Sequence, residues 1–155
     1  MDKYEFNIKA EQMRKMAEQG DYKTAMQIAD TIDWRRVRNA NLLSYVADIY
    51  EHNSEYEEAK DILLLAFERA PVGKRFLYKL AEISVKAGDL QDAQEFYHEF
   101  CEMSPDDSRQ FLLRYLILKA KGASAEQLIA PLEEYTSEEV DEEWLYTLAK
   151  LYSEA

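Results

Sequence analysis

Apolar residues along this chain recur at helical spacing. Leu43, Val46, Ala47 and Tyr50 step by three and four positions, the interval that lines one face of a helix. A polar break at residues 52–55 follows. Tyr56, Ala59, Ile62, Leu63, Ala66 and Phe67 then resume the pattern until Pro71 and Gly73 interrupt it. The arrangement returns downstream as Leu77, Leu80 and Ala81, a turn at Gly88 and Asp89, and then Leu90, Ala93, Phe96, Tyr97 and Phe100. Ser104, Pro105, Asp106 and Asp107 read as the opening of the next helix. Ser104 serves as N-cap, Pro105 takes the first helical position, and the aspartates sit at the positive helix end.

The pattern has a period of 34 residues, set by Gly88 and Gly122 and, one rung skipped, by Gly20; Ser54 occupies the missing rung. Ala25, Ala59 and Ala93 share one register, and Ala47, Ala81 and Ala149 share another. Small residues in such registers mark places where two helices cross closely, and glycine at the turn takes a left-handed conformation cheaply. A single helix pair cannot bury its apolar face alone, so the expected architecture is all-α, with pairs stacked into a solenoid. The repeats run at about 6–39, 40–73, 74–107 and 108–141, with a final helix at 137–154, as one repeat domain over 1–155. Pro131 falls inside a second helix, where it removes a hydrogen bond and is expected to kink or shorten that helix.

These residues resemble the tetratricopeptide repeat family. The register is carried best by Ala47, Tyr50, Tyr56, Ala59, Ala66 and Pro71, and then by Leu80, Ala81, Gly88, Ala93, Tyr97 and Pro105. Lys9 and Gln12 replace apolar residues in the first repeat, and Tyr115 and Gln127 replace small ones in the fourth. The resemblance spans about four and a half repeats. It implies a right-handed superhelix of antiparallel pairs whose first helices line a concave face that binds a protein or peptide.

On that reading the peptide-facing positions include Arg14, Asn41, Tyr45, Arg75, Tyr78, Lys79, Arg109 and Leu112. Family members that hold a peptide carboxylate use Lys, Asn and Arg there. Arg75 and Lys79 match the basic pair, whereas Arg14, Tyr45 and Ala10 stand where asparagines and a lysine are typical, so that clamp is incomplete. On the inner strip, the third and fourth repeats place Arg75, Lys79, Lys86, Arg109 and Lys119 against Glu82 alone, a local basic stretch suited to an acidic segment. The alternative is that these bases pair with Glu82 or Asp48 on a solvated face. The helix around Leu112, Leu113 and Leu116 is apolar all round. It forms either the floor of the groove or a core covered by later parts of the chain.

Composition narrows the functional classes. With 19 Lys+Arg against 31 Asp+Glu the net charge is −12, which opposes general affinity for nucleic acid or anionic lipid. The longest apolar runs, at 62–67 and 111–118, are far short of a membrane span, and the charged N-terminus does not read as a signal, so a cytoplasmic location is expected. One cysteine (Cys101) and two histidines (His52 and His98) give no metal spacing, and no phosphate loop or nucleophile motif occurs, so neither cofactor nor catalysis is expected. The acidic pairs near Glu133, Glu138 and Glu142 read as solvated surface.

The last helix carries a wide apolar arc of Val140, Trp144, Leu145, Leu148, Leu151 and Tyr152. Either the chain is a fragment of a longer repeat protein, or this face is an interface. Trp144, Leu148, Leu151 and Tyr152 are the candidate interface residues, in the simplest case of a homodimer. The expected function is thus a non-catalytic adaptor that binds a protein segment, with structural assembly through the last helix as the alternative.

Overall fold

The structure, a computed structural model, describes residues 1–70 and 74–155. The break expected at Pro71 and Gly73 lies outside the described residues. Helices α1 (Lys3–Glu18), α2 (Tyr22–Ala29), α3 (Ala40–His52) and α4 (Tyr56–Arg69) belong to one compact unit, Met1–Gly73. Helices α5 (Lys74–Lys86), α6 (Leu90–Met103), α7 (Arg109–Ala120), α8 (Ala125–Glu138) and α9 (Glu142–Glu154) belong to the second, Lys74–Ala155. No strand occurs among the described residues, and the fold is all-α. In the first unit α1 packs on α2 and α3 on α4; in the second the pairs are α5 with α6 and α7 with α8, and α9 closes on α8.

The reasons for these elements are local. Asp2, Asp21, Asn39, Asp89 and Ser124 precede five of the helices, and each side chain accepts a backbone N–H of the first turn. Each cap is worth about 1 kcal/mol. Gly20, Gly88 and Gly122 turn the chain between paired helices at φ of 83°, 80° and 81°. Ser54 does the same in the second pair at φ 59°, the single non-glycine residue with positive φ among those described. The register alanines Ala25, Ala47, Ala59, Ala81 and Ala93 are all buried, which allows the helices of a pair to approach closely.

Three expectations are corrected. Residues 104–107 do not open α7, which starts at Arg109. The Asp107 carboxylate accepts the Arg109 N–H at 3.0 Å and so draws the helix start downstream, while Ser104 closes α6 through its N–H to the Phe100 carbonyl and its buried hydroxyl caps no helix start. Pro131 does not shorten α8, which spans 14 residues, as many as α4 and α6. Its ring is buried beside Leu128 and Leu132, and the carbonyl that loses its N–H partner belongs to the exposed Gln127. The final helix begins at Glu142, and residues 137 and 138 belong to α8.

Candidate functional site

The first repeat departs from the pattern at Ala29, where α2 stops after eight residues. Asp30, Thr31, Asp33 and Asn39 favour turns and caps over helix interior, and residues 30–39 fold back instead of continuing α2. The Trp34 ring is 5% exposed; its Nε1 donates to the Ala29 carbonyl at 3.0 Å, and its ring meets Phe6 of α1 edge-on at 6.2 Å. A single 3-10 turn, Trp34–Arg36, follows. Its capping residue Asp33 accepts the Arg35 guanidinium at 3.1 Å, a bond that holds the carboxyl below its ordinary range, and it pairs with Arg36 at 3.7 Å. Arg69 at the end of α4 secures the segment by donating to the carbonyls of Arg35 at 2.8 Å and Val37 at 3.2 Å.

Between this segment and α1 lies a groove of about 880 Å³. Phe6, Ala10, Ile32, Val37 and Leu42 give it an apolar floor. Lys3, Arg14, Arg36 and Arg38 stand around it with Asp2, Glu11 and Asp33, so bases outnumber acids here in a chain of net charge −12. Two of those carboxylates are already engaged, Asp2 with the Glu5 N–H and Asp33 with Arg35 and Arg36. The Arg14 guanidinium lies 5.4 Å from the centre of the Tyr45 ring. Tyr45 is half-buried, and burial, reinforced by Glu18, raises the pKa of its phenol. Asn41 is exposed on the first turn of α3. Of the peptide-facing positions named above, Arg14 lines this groove while Asn41 and Tyr45 do not, and Ile32, Arg36, Val37 and Arg38 were not among those named. The available signal was three arginines and a tryptophan clustered where the second helix of the repeat should have continued.

Arg75, Lys79 and Arg109 of the second unit have internal partners. Arg109 grips Asp107 with two nitrogens, at 2.8 and 3.1 Å, and lies over the Tyr78 and Phe100 rings at 4.7 and 5.6 Å. Lys79 pairs with Glu82 at 3.0 Å, and the Arg75 guanidinium lies 4.5 Å from the Phe76 ring. Tyr78 packs on Phe100, and burial, with the Glu82 carboxylate adding to it, pushes its phenol up to about 12. Of the two readings of this basic stretch, pairing within the face describes Lys79 directly, and Arg109 finds its carboxylate in Asp107.

Leu112 is 6% exposed and belongs to a core cluster with Tyr115, Leu128, Leu132 and Tyr135, so it is not a wall open to a ligand. The apolar helix α7 is a covered core, because α8 and α9 supply the cover. Leu148 and Leu151 sit in the same cluster at 7% exposure each and form no free interface. Trp144 packs edge-on against Tyr115 and Tyr135. Tyr152 is 53% exposed, with its hydroxyl donating to Glu133. A smaller recess of about 410 Å³ in this unit collects Leu116, Lys119, Tyr146, Thr147 and Lys150.

Among the described residues no three His, Cys, Asp or Glu side chains gather as metal ligands, and no helix is long and apolar enough to cross a membrane. No protein-family model matches the sequence, and no curated protein matches it. Solved structures do match in shape. A tetratricopeptide repeat protein from Parabacteroides merdae superposes with a TM-score of 0.78 over 97% of this chain, at 16% identity. The fold is that of tetratricopeptide repeat proteins. MamA from Desulfovibrio magneticus, from its residue 41 onward, superposes with a TM-score of 0.68 at 15% identity over 92% of this chain and 83% of its own. The chain spans 59% of the length of the Parabacteroides protein. Within this tetratricopeptide fold, the 880 Å³ groove lies where the first repeat abandons the repeat pattern.

Proposed function

We propose that the chain is a non-catalytic protein-binding module, and that a peptide or protein segment carrying acidic groups beside an apolar side chain lies in the groove of the first unit. The observation that carries this reading is an apolar floor ringed by Lys3, Arg14, Arg36 and Arg38 in an otherwise strongly acidic chain. An apolar floor takes an anchoring side chain, while a guanidinium rim orients carboxylates and speeds their encounter. The all-α repeat scaffold supports it by holding the walls on helices α1 and α3. The cations of the second unit fit the role less well, since Lys79 and Arg109 are held by Glu82 and Asp107 at 3.0 and 2.8 Å, whereas in the rim of the first unit Arg36 has its partner Asp33 at the longer 3.7 Å.

Peptides selected from a displayed random library on the intact chain test this. Binders with Asp or Glu next to Leu or Phe are expected. Their affinity should fall by about tenfold or more in an Arg14→Glu, Arg38→Glu variant and weaken as salt rises. An Arg75→Glu, Lys79→Glu variant should leave them nearly unchanged. The reverse ranking of the two variants would transfer the ligand to the second unit and refute the groove assignment.

A further inference from the structure

The helices that open each pair carry the same register row, and in one of them it is uncovered. In α3 the row is Leu43, Ala47 and Tyr50, exposed by 0, 4 and 4%. In α5 it is Leu77, Ala81 and Ser84, each at 0%. Both of these helices pack against the helix that follows them, α4 and α6. The corresponding row of α9 is Leu145, Ala149 and Tyr152. Leu145 is 43% exposed, Ala149 is exposed and Tyr152 is 53% exposed, and Val140, at 95%, lies just ahead of the helix. The residues that α9 does bury, Leu148 and Leu151, belong to its contact with the α7–α8 core, so the open row is a separate face. It repeats the shape of the α3 row, two large side chains with an alanine between them that lets a second backbone come close, and shares the leucine and alanine of the α5 row, where Ser84 takes the third place. The Tyr152 hydroxyl, bonded to Glu133, fixes one end of the row.

Charge selects the occupant. Residues 131–155 contain Glu133, Glu134, Glu138, Glu139, Asp141, Glu142, Glu143 and Glu154 against Lys150 alone. The chain's own second helices have the shape for such a seat but not the charge. α6 carries Asp92, Glu95, Glu99 and Glu102 with no Lys or Arg, and α4 carries four acids against Lys60 and Arg69. A second copy of α9 would bring the same acids against themselves. We propose that the row Leu145, Ala149, Tyr152 is a docking seat for an amphipathic helix of a partner protein whose flanks carry Lys or Arg. The seat lies wholly in the second unit and is independent of the groove in the first. Repulsion of acidic helices keeps copies of this chain off the seat, and attraction to basic ones supplies specificity.

The test uses two fluorescein-labelled peptides and the full chain, read by anisotropy. One peptide has the sequence of residues 55–70; the other has the same sequence with Glu55, Glu57, Glu58, Asp61 and Glu68 replaced by lysine. The basic peptide is expected to bind in roughly the micromolar range and the acidic one at least about tenfold more weakly. An Ala149→Gln variant, which enlarges an exposed helical position without adding charge, should keep its circular dichroism and lose about tenfold in affinity for the basic peptide. Equal binding of both peptides, no binding of the basic one, or indifference to Ala149→Gln would overturn the proposal. So would a dimer of the chain in sedimentation that Ala149→Gln abolishes, since that would give the row to a second copy.

Discussion

The first two helix pairs begin alike and end differently. α2 and α4 both start at a tyrosine, Tyr22 and Tyr56, one repeat apart, yet α2 stops at Ala29 and α4 runs on to Arg69. In the second pair the extra turns, residues 64–69, bury Ala66 and half-bury Leu64, Leu65 and Phe67. In the first pair the same length of chain becomes the Trp34 segment, and a groove opens between that segment and α1. The comparison teaches that in a repeat fold the departures from the repeat are the places to look for recognition. A regular pair spends its apolar face on its neighbours, whereas the interrupted pair leaves Phe6, Ile32 and Val37 beside an opening.

The strongest way to break this contrast is Trp34→Ala, which removes the ring packed on Phe6 and the hydrogen bond to Ala29. A loss of about 3–5 kcal/mol in urea unfolding is expected, together with loss of peptide binding in the groove. Leu63→Ala in α4 should cost about 2–5 kcal/mol while leaving the groove's affinity intact in the folded fraction. Arg69→Ala separates the helix from the segment it secures. The part-buried Val37 carbonyl and the exposed Arg35 carbonyl lose their donor, for about 1–2 kcal/mol, and amide exchange should rise in residues 35–37 more than within α4.

Alkaline pH probes the link between the interrupted helix and its successor. The Tyr50 hydroxyl donates to Asp30, just past the end of α2, at 2.6 Å, and burial followed by that bond raises its pKa. Burial likewise pushes Tyr78 up to about 12. A group that holds its proton more tightly when folded contributes its full stability below its unfolded pKa. That contribution is lost as pH climbs toward the folded value. The melting temperature should therefore fall from pH 10 to pH 12, and less steeply in a Tyr50→Phe, Tyr78→Phe variant. The smallest effect concerns the two turns. Gly20 and Ser54 occupy the same rung with positive φ, and nothing lies within 4 Å of a Cβ added at Gly20. Ser54→Gly should stabilise by about 0.5–1 kcal/mol and Gly20→Ala should cost a similar amount, both read from urea midpoints.

Much of the scaffold was legible because it rests on spacing. The 34-residue rungs, the turn glycines and the buried alanines follow from local chemistry repeated along the chain. What escaped depended on partners distant in sequence. Leu148 and Leu145 are equally apolar, and only the position of α8 makes the first core and the second surface. Arg109 resembles a ligand contact until Asp107, two residues away, is seen to hold it. The groove fell between these cases. Asp30, Thr31, Asp33 and Asn39 signalled the end of a helix, but the return of Trp34 onto Phe6 is a tertiary event that periodicity does not encode.

The placement of the two tryptophans has an optical consequence. Trp34 is enclosed in the first unit and Trp144 is half-buried in the second, each beside its own aromatic neighbours. Each unit therefore carries one tryptophan. Trp34 would report on the groove wall and Trp144 on the packing beneath α9, so replacing either by phenylalanine makes the emission of the other a private signal for one half of the molecule. Denaturation followed through the two single-tryptophan proteins would show whether the halves melt together or in turn, without any added label.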